Sequence, residues 1–459
     1  MRDRLARRGA SQGDRPRRPA AALGLALALS CLPIGAHAND LLDAWHQARA
    51  ADPVLAAADA QRGSAHALAD VAAAALRPQA WAVAEIARER QSGAALPTAS
   101  DRRTDVALTV NQVVFDASLA ATHHAAVAAA DAQDALLASA TQALALRVAT
   151  AYLQVLQATD ALATAQANEA AYDRQVAQSR ERVAQRLAAQ VDVDQARTYQ
   201  ALAHAGTVSA RQALQDARGA LAEITGQPAP AAPARLQDEL PLAAPQPADP
   251  QAWMRAAADA NPDVLAARLQ VRSSEREIDA ARAAHLPTLS AGLGLARPTV
   301  APAADGSGSG RLGASVALTL TVPLSTGGAT QARVRDATYR RDGAQDALES
   351  RRRAAVRAAD ESYRAVVDGA ERVVATRAAV DAATAALAST RVGWDVGSRT
   401  ISDLLAAIQN LGLAQDAHSQ ARHQLVLSRL ALAQAAGTLG EADLAGVDAL
   451  LRSPPSKES

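Results

Sequence analysis

The sequence predicts a mainly α-helical chain carrying a membrane β-barrel, built by duplicating one helix–β-hairpin–helix plan. Three observations predict it. The stretch VALTVNQVVFD at 106–116 alternates in its first half, with Val106, Leu108 and Val110 on one face and Ala107, Thr109 and Asn111 on the other. That period of two marks a strand lying between two different environments. The pattern returns about 210 residues later as VALTLTVPL at 316–324, and each copy precedes a long alanine-rich run. Finally, the helix lengths match: 117 to about 182 gives roughly 66 residues, or about 100 Å, and two shorter helices of the same half sum to a similar length.

Composition supports helical walls. The 459 residues carry 47 basic and 47 acidic side chains, so bulk electrostatics do not suggest nucleic acid. Hydrophobic residues make up 49 % but aromatics only 2 %, so small alanines carry much of the apolar content. Alanine is the best helix former and lets helices approach closely. Outside the N-terminus no run of about 18 apolar residues occurs, so no membrane-spanning helix is expected.

Residues 1–38 read as a signal peptide: a basic segment to Arg18, an apolar stretch at 20–32 and the cleavage pattern Ala36-His37-Ala38. The sole cysteine, Cys31, lies inside it. Acylation of Cys31 is an alternative reading, although Ala28-Leu29-Ser30 matches an acylation box poorly. The mature chain then has no disulfide and rests on packing and assembly.

The first repeat is expected over 39–226. A helix opens at Asn39-Asp40 and stops at Arg77-Pro78. A β-hairpin follows over 80–115, with a strand at 80–88, a Ser/Gly/Pro loop at 92–104 and the strand described above. Asp116 suits the N-cap of the first long helix. A turn falls near 186–192, and a second helix runs to Thr225-Gly226. Residues 227–249 hold six prolines and read as a linker. The second repeat, 250–440, opens at Asp249-Pro250 and stops at Leu286-Pro287. Its hairpin covers 288–324, Gly327-Gly328 opens the second long helix, and its turn falls at 393–400. A C-terminal tail occupies 441–459. Tyr152 with Tyr363, Arg182 with Arg391 and Gly226 with Gly437 recur at offsets of about 209 to 211, which marks one internal duplication rather than a short-period solenoid.

The hairpins constrain assembly. Four strands cannot close a barrel, an open sheet cannot sit in lipid, and small membrane barrels need about eight strands or more. A trimer supplies about twelve. Val106, Leu108, Val110, Val316, Leu318 and Leu320 would then face lipid, and Thr109, Asn111, Thr319 and Thr321 would face water. A strand pair in a soluble α+β protein, such as a periplasmic coiled-coil adaptor, is the competing reading.

In order along the chain, VALTVNQVVFD at 106–116, ATAYLQVLQA at 149–158, LAEITG at 221–226, AHLPTLSAGLGL at 284–295, VPLSTGG at 322–328, GWDVGSRTISDLL at 393–405 and GTLGEADL at 437–444 resemble the TolC family of outer-membrane channels. The resemblance is nearest to the type I secretion branch. It implies a homotrimer in the outer membrane of a Gram-negative bacterium, with a twelve-strand barrel continuing into a periplasmic α-helical barrel. It also implies a periplasmic adaptor (membrane fusion) protein, an inner-membrane transporter of ABC type and an exported cargo as partners. Type I protein secretion is the preferred role; multidrug or small-molecule efflux is the alternative.

No catalytic constellation, metal site or cofactor motif stands out. His123-His124 lacks a second ligand pair at metal spacing, and Gly292-Leu293-Gly294 is no phosphate loop. The resemblance places function at the helical turns. There Asp403 matches an aspartate of the entrance ring, although Ala406 stands where a second aspartate would be. Asp192 and Arg399 match a gating pair, and Trp394 replaces a tyrosine whose donor role toward Asp192 its indole N–H would take. Leu187, Val396 and Gly397 match the adaptor-docking motif. The simpler reading of Asp403 is a carboxylate at a helix N-terminus.

Overall fold

A computed structural model describes residues 40–93, 96–230, 233–302 and 309–452. The signal-peptide reading and Cys31 lie outside these residues.

The first repeat begins with α1 (Asp40–Ala51) and α2 (Pro53–Ala74), where one helix is expected. The break is chemical. Pro53 has no N–H and sits at the first turn of α2, while Asp52 takes an extended conformation and caps Leu55 N at 2.8 Å. Strands β1 (Gln79–Gly93) and β2 (Leu96–Phe115) follow. They run into the expected 92–104 loop because the polar ends keep pairing, Glu89 opposite Asp101 and Gln91 opposite Ala99. Asp116 then caps α3 (Ala117–Ala184) through Ser118 N and Leu119 N at 2.9 and 3.0 Å. The hairpin closes with α4 (Gln190–Thr225).

The linker holds β3 (Arg235–Leu236). The second repeat has α5 (Pro250–Ala260) and α6 (Pro262–Ala283), broken at Asn261-Pro262 as the first is at Asp52-Pro53. Strands β4 (Thr288–Pro302), β5 (Ser309–Gly310) and β6 (Gly313–Thr321) lead to α7 (Ala329–Asp395) and α8 (Ile401–Ala435). β6 ends at Thr321, three residues short of the expected 316–324 strand, and Pro323 lies just past that end, consistent with its missing donor. The last segment is more than a tail. It forms α9 (Glu441–Asp448) and β7 (Leu451–Arg452), and β7 pairs with β3.

With 68 residues, α3 extends about 100 Å. By length and composition it passes as a membrane-spanning helix. Its apolarity comes largely from alanine, and it is several times longer than a bilayer core is thick. Along it, α4 and α2 make one two-piece strut. Gly226, at φ 68°, ends α4 so close to the α1–α2 break that an added Cβ would sit 3.1 Å from Ala51 Cβ. Gly437, at φ 79°, meets Ala260 and Asn261 in the same way.

The main core lies where α1, α3, α4, α8 and α9 meet, around Leu41, Trp45, Leu144, Tyr152, Leu153, Leu221, Val426 and Leu444. Burial of each large side chain there contributes about 1.5–3 kcal/mol. Arg422 straps the linker onto α8 by donating to the carbonyls of Leu236 and Gln237 at 2.8 and 2.6 Å.

The long strands form one antiparallel sheet in the order β1-β2-β4-β6. The central β2–β4 pairing joins the two repeats, with Leu108 opposite Leu295 and Val110 opposite Leu293. Among the described residues, the outer edges of β1 and β6 have no partner strand.

Candidate functional site

The two hairpin tips repeat one backbone solution. At the first, Leu187 N donates to Arg182 O at 2.7 Å and Arg186 N to Val183 O at 2.9 Å. At the second, Ser398 N donates to Gly393 O at 2.8 Å and Gly397 N to Trp394 O at 3.1 Å. This Schellman ending requires a left-handed residue, for which glycine is preferred. Gly397 supplies it at φ 79°; the first tip uses Arg186 at φ 59°. A side chain in that region costs about 1–2 kcal/mol. Leu187 and Val396 stand out from the tips, 67 and 74 % exposed.

The carboxylates sit at helix starts. Thr400 Oγ1 accepts from Asp403 N at 3.2 Å while Asp403 Oδ2 accepts from Thr400 N at 3.0 Å, a complete capping box. Asp192 Oδ2 accepts from Ala189 N at 3.2 Å, but alanine has no oxygen to return the bond, so this box is half made. The backbone and hydroxyl of Thr400, then the charge of Arg399, hold the Asp403 carboxyl below the usual carboxylate range.

Arg399 and Asp192 form no ion pair with each other within the chain. The Arg399 stem lies over Gly393, where an added Cβ would be 2.6 Å from Arg399 Cγ. Trp394 likewise does not reach Asp192, whose carboxylate turns back on its own helix N-terminus. Its partner is Arg182, which sequence reasoning missed. The guanidinium carbon lies 4.2 Å from the Trp394 ring centroid, and Nη1 donates to Trp394 O at 3.3 Å. The sequence signals were a basic residue in the last turn of α3 and its recurrence as Arg391 in the second repeat. A second link, Ser402 Oγ to Gln195 Oε1 at 3.0 Å, joins α8 to α4.

Beneath these links, Trp394, Ile401, Leu404, Leu405 and Ile408 pack on Tyr172, Val176 and Ala196, drawing both repeats into one tip core. Burial there pushes the Tyr172 hydroxyl up to about 12. The structure therefore brings Trp394, Val396, Gly397, Arg399 and Asp403 together on one tip, and Leu187 and Asp192 on the other.

At the far end, strand register lines up an apolar face. Val106, Leu108 and Val110 lie opposite Ala84, Ala82 and Ala80 on β1. Leu293 and Leu295 on β4 continue that face to Val316, and Leu318 and Leu320 complete it. Val316, Leu318 and Leu320 are 82, 69 and 63 % exposed. The opposite face carries Thr109, Asn111, Gly292, Gly294, Ser315 and Thr319 on β2, β4 and β6, whereas β1 sets Trp81 and Val83 there, opposite Thr109 and Ala107.

Duplicated helical hairpins fused to an open sheet, apolar on one side, define an outer-membrane channel fold. The family model for outer membrane efflux proteins matches residues 44–227 and 253–438. Outer membrane protein TolC of Vibrio cholerae serotype O1 is 33 % identical over 436 residues, 94 % of this chain and 98 % of that one. Alkaline protease secretion protein AprF of Pseudomonas aeruginosa is 28 % identical, over 89 and 86 % of the two chains. The crystal structure of the transmembrane channel CusC superposes with a TM-score of 0.76 at 18 % identity, covering 87 % of this chain and 92 % of CusC. The chain belongs to the outer membrane efflux protein family, the TolC family. It is an outer-membrane export channel of TolC fold and not an enzyme.

Proposed function

We propose that three copies join through the free edges of β1 and β6 into a twelve-strand barrel, from which the helices continue as a periplasmic tunnel. The assembly is the exit duct of a tripartite export machine. The observation that carries this reading is the sheet of four long strands, apolar on one face and, among the described residues, unpaired at both edges. Such a sheet is excluded from lipid until its edges close. Val106, Leu108, Val110, Val316, Leu318 and Leu320 face lipid in the closed barrel.

In the same reading the tips are the entrance. Asp403 from each copy forms a ring that attracts cations. Asp192, Arg399 and Trp394 hold the entrance narrow, and Leu187, Val396 and Gly397 receive a periplasmic adaptor (membrane fusion) protein. The inner-membrane partner is a transporter of ABC type and the cargo is a secreted protein, as the name of the relative AprF suggests for that protein. The family description names efflux, which makes small-molecule export the second reading. Deleting the gene and comparing the secreted proteins with drug susceptibility separates the two. Purified protein that stays monomeric and forms no pores in planar bilayers would overturn the channel assembly itself.

A further inference from the structure

Where the strands hand over to the helices, exposed apolar residues give way to exposed arginines. Val114, Phe115, Leu286 and Val322 are exposed at the junction, and Leu324 is 94 % exposed. Within about six residues of helix, or roughly 9 Å, come Arg77, Arg282, Arg333 and Arg335, all exposed. None of the four has an ion-pair partner among the described residues. The carboxylates nearest these arginines are engaged elsewhere: Asp116 caps α3, Asp279 pairs with Arg276 at 3.2 Å, and Asp336, next to Arg335, pairs with Arg340 at 2.7 Å. Four guanidiniums outside any ion pair thus stand just below an apolar band. At the same level a cleft of about 550 Å³ is walled by Leu76, Val113, Val114, Phe115 and Ala120, and its polar side carries His124 and Arg276 together with the carboxylates of Asp116 and Asp279.

We propose that this collar binds the headgroups of anionic phospholipids in the leaflet on the helical side of the sheet, with an acyl chain lying along the apolar wall of the cleft. Guanidinium forks suit phosphate oxygens, and long arginine stems can lie on apolar surface while their heads reach the interface. The lipid fixes the height of the barrel in the bilayer. The inference rests on the sheet being the membrane element.

The test is native mass spectrometry of the full protein in non-ionic detergent. It is titrated with phosphatidylglycerol, phosphatidylcholine of the same acyl chains, or glycerol phosphate alone. Wild type should retain phosphatidylglycerol several-fold better than phosphatidylcholine, with the preference falling as salt rises. Each of R77Q, R282Q, R333Q and R335Q should weaken it by up to roughly five-fold. R372Q, far down α7, should leave it unchanged. Equal retention of both lipids, no salt dependence in wild type, or glycerol phosphate binding as tightly as the lipid would overturn the proposal. So would arginine variants that lose their trimer yet keep the lipid preference, since that outcome assigns the collar to contacts between copies. Trimer and pore formation are read on the same wild-type sample. Their failure strikes the channel reading, whereas their success without lipid preference strikes this one alone.

Discussion

Arg182, from the first repeat, lies flat over the ring of Trp394, from the second, with its guanidinium carbon 4.2 Å from the ring centroid. The same guanidinium donates to the Trp394 carbonyl at 3.3 Å. One side chain therefore ties the two hairpin tips together by stacking and by hydrogen bonding. Replacing Arg182 with glutamine should lower stability by about 1 kcal/mol and raise single-channel conductance by loosening the entrance. Trp394→Ala should also raise conductance and should cost more, about 3–5 kcal/mol, because the ring packs in the tip core as well; the double variant should lose less than the sum of the two. A fully additive double-mutant cycle would show that the contact carries no coupling.

The two tips differ in their left-handed residue. Arg186→Gly should stabilise the first tip by up to about 1 kcal/mol, because glycine adopts φ 59° without a Cβ clash. Gly397→Ala should destabilise the second by about 1–2 kcal/mol. Thermal unfolding in detergent measures both, and opposite signs are the expected result.

Asp403 tests the entrance. Asp403→Asn should reduce block by trivalent cations in planar bilayers; undiminished block would remove it from the ion path. Its acid dependence has a definite sign within one chain. The folded carboxyl is held below its ordinary value, chiefly by Thr400. Its stabilising contribution is therefore present above the unfolded value near about 3.9 and is lost as pH falls through the folded one. The asparagine variant should show a flatter stability profile than wild type below about pH 4.

The helix breaks predict an asymmetry between repeats. Asp52, with its side chain 5 % exposed, caps α2 and accepts from Arg147 Nη2 at 2.7 Å. Asn261 caps α6 through Asp263 N at 2.9 Å but has no charged partner. Asp52→Ala should cost about 2 kcal/mol, since the cap and the ion pair go together while Arg147 can still reach water. Asn261→Ala should cost about 1 kcal/mol. Equal losses in thermal unfolding would deny Arg147 a role.

On the sheet, Leu318 and Thr319 are neighbours on opposite faces. If the apolar face meets lipid, Leu318→Arg should cost about 2–4 kcal/mol at the bilayer midplane and deplete the protein from the outer membrane. Thr319→Arg should be tolerated and should alter conductance instead. Membrane fractionation with bilayer recording reads both outcomes.

Much of this was legible in the sequence, because it depends on local chemistry. The period-two alternation at 106–110 sets one strand face whatever the strand pairs with. Asp116 caps wherever an extended residue meets a helix start, and Gly226, Gly397 and Gly437 mark left-handed endings. The duplication follows from comparing the chain with itself. The proline breaks at 53 and 262 were visible residues read as part of a continuous helix. What the tertiary structure alone decided are contacts between distant segments: Arg182 on Trp394, Ser402 on Gln195, β3 on β7, and β2 beside β4. No local period encodes those partners, because each pairing is settled by how two helical hairpins and two strand hairpins fit once packed. Sequence placed Trp394, Arg399, Asp192 and Asp403 at the tips; only the packed tips show Trp394 clasped by Arg182 and both aspartates turned onto their own helix starts.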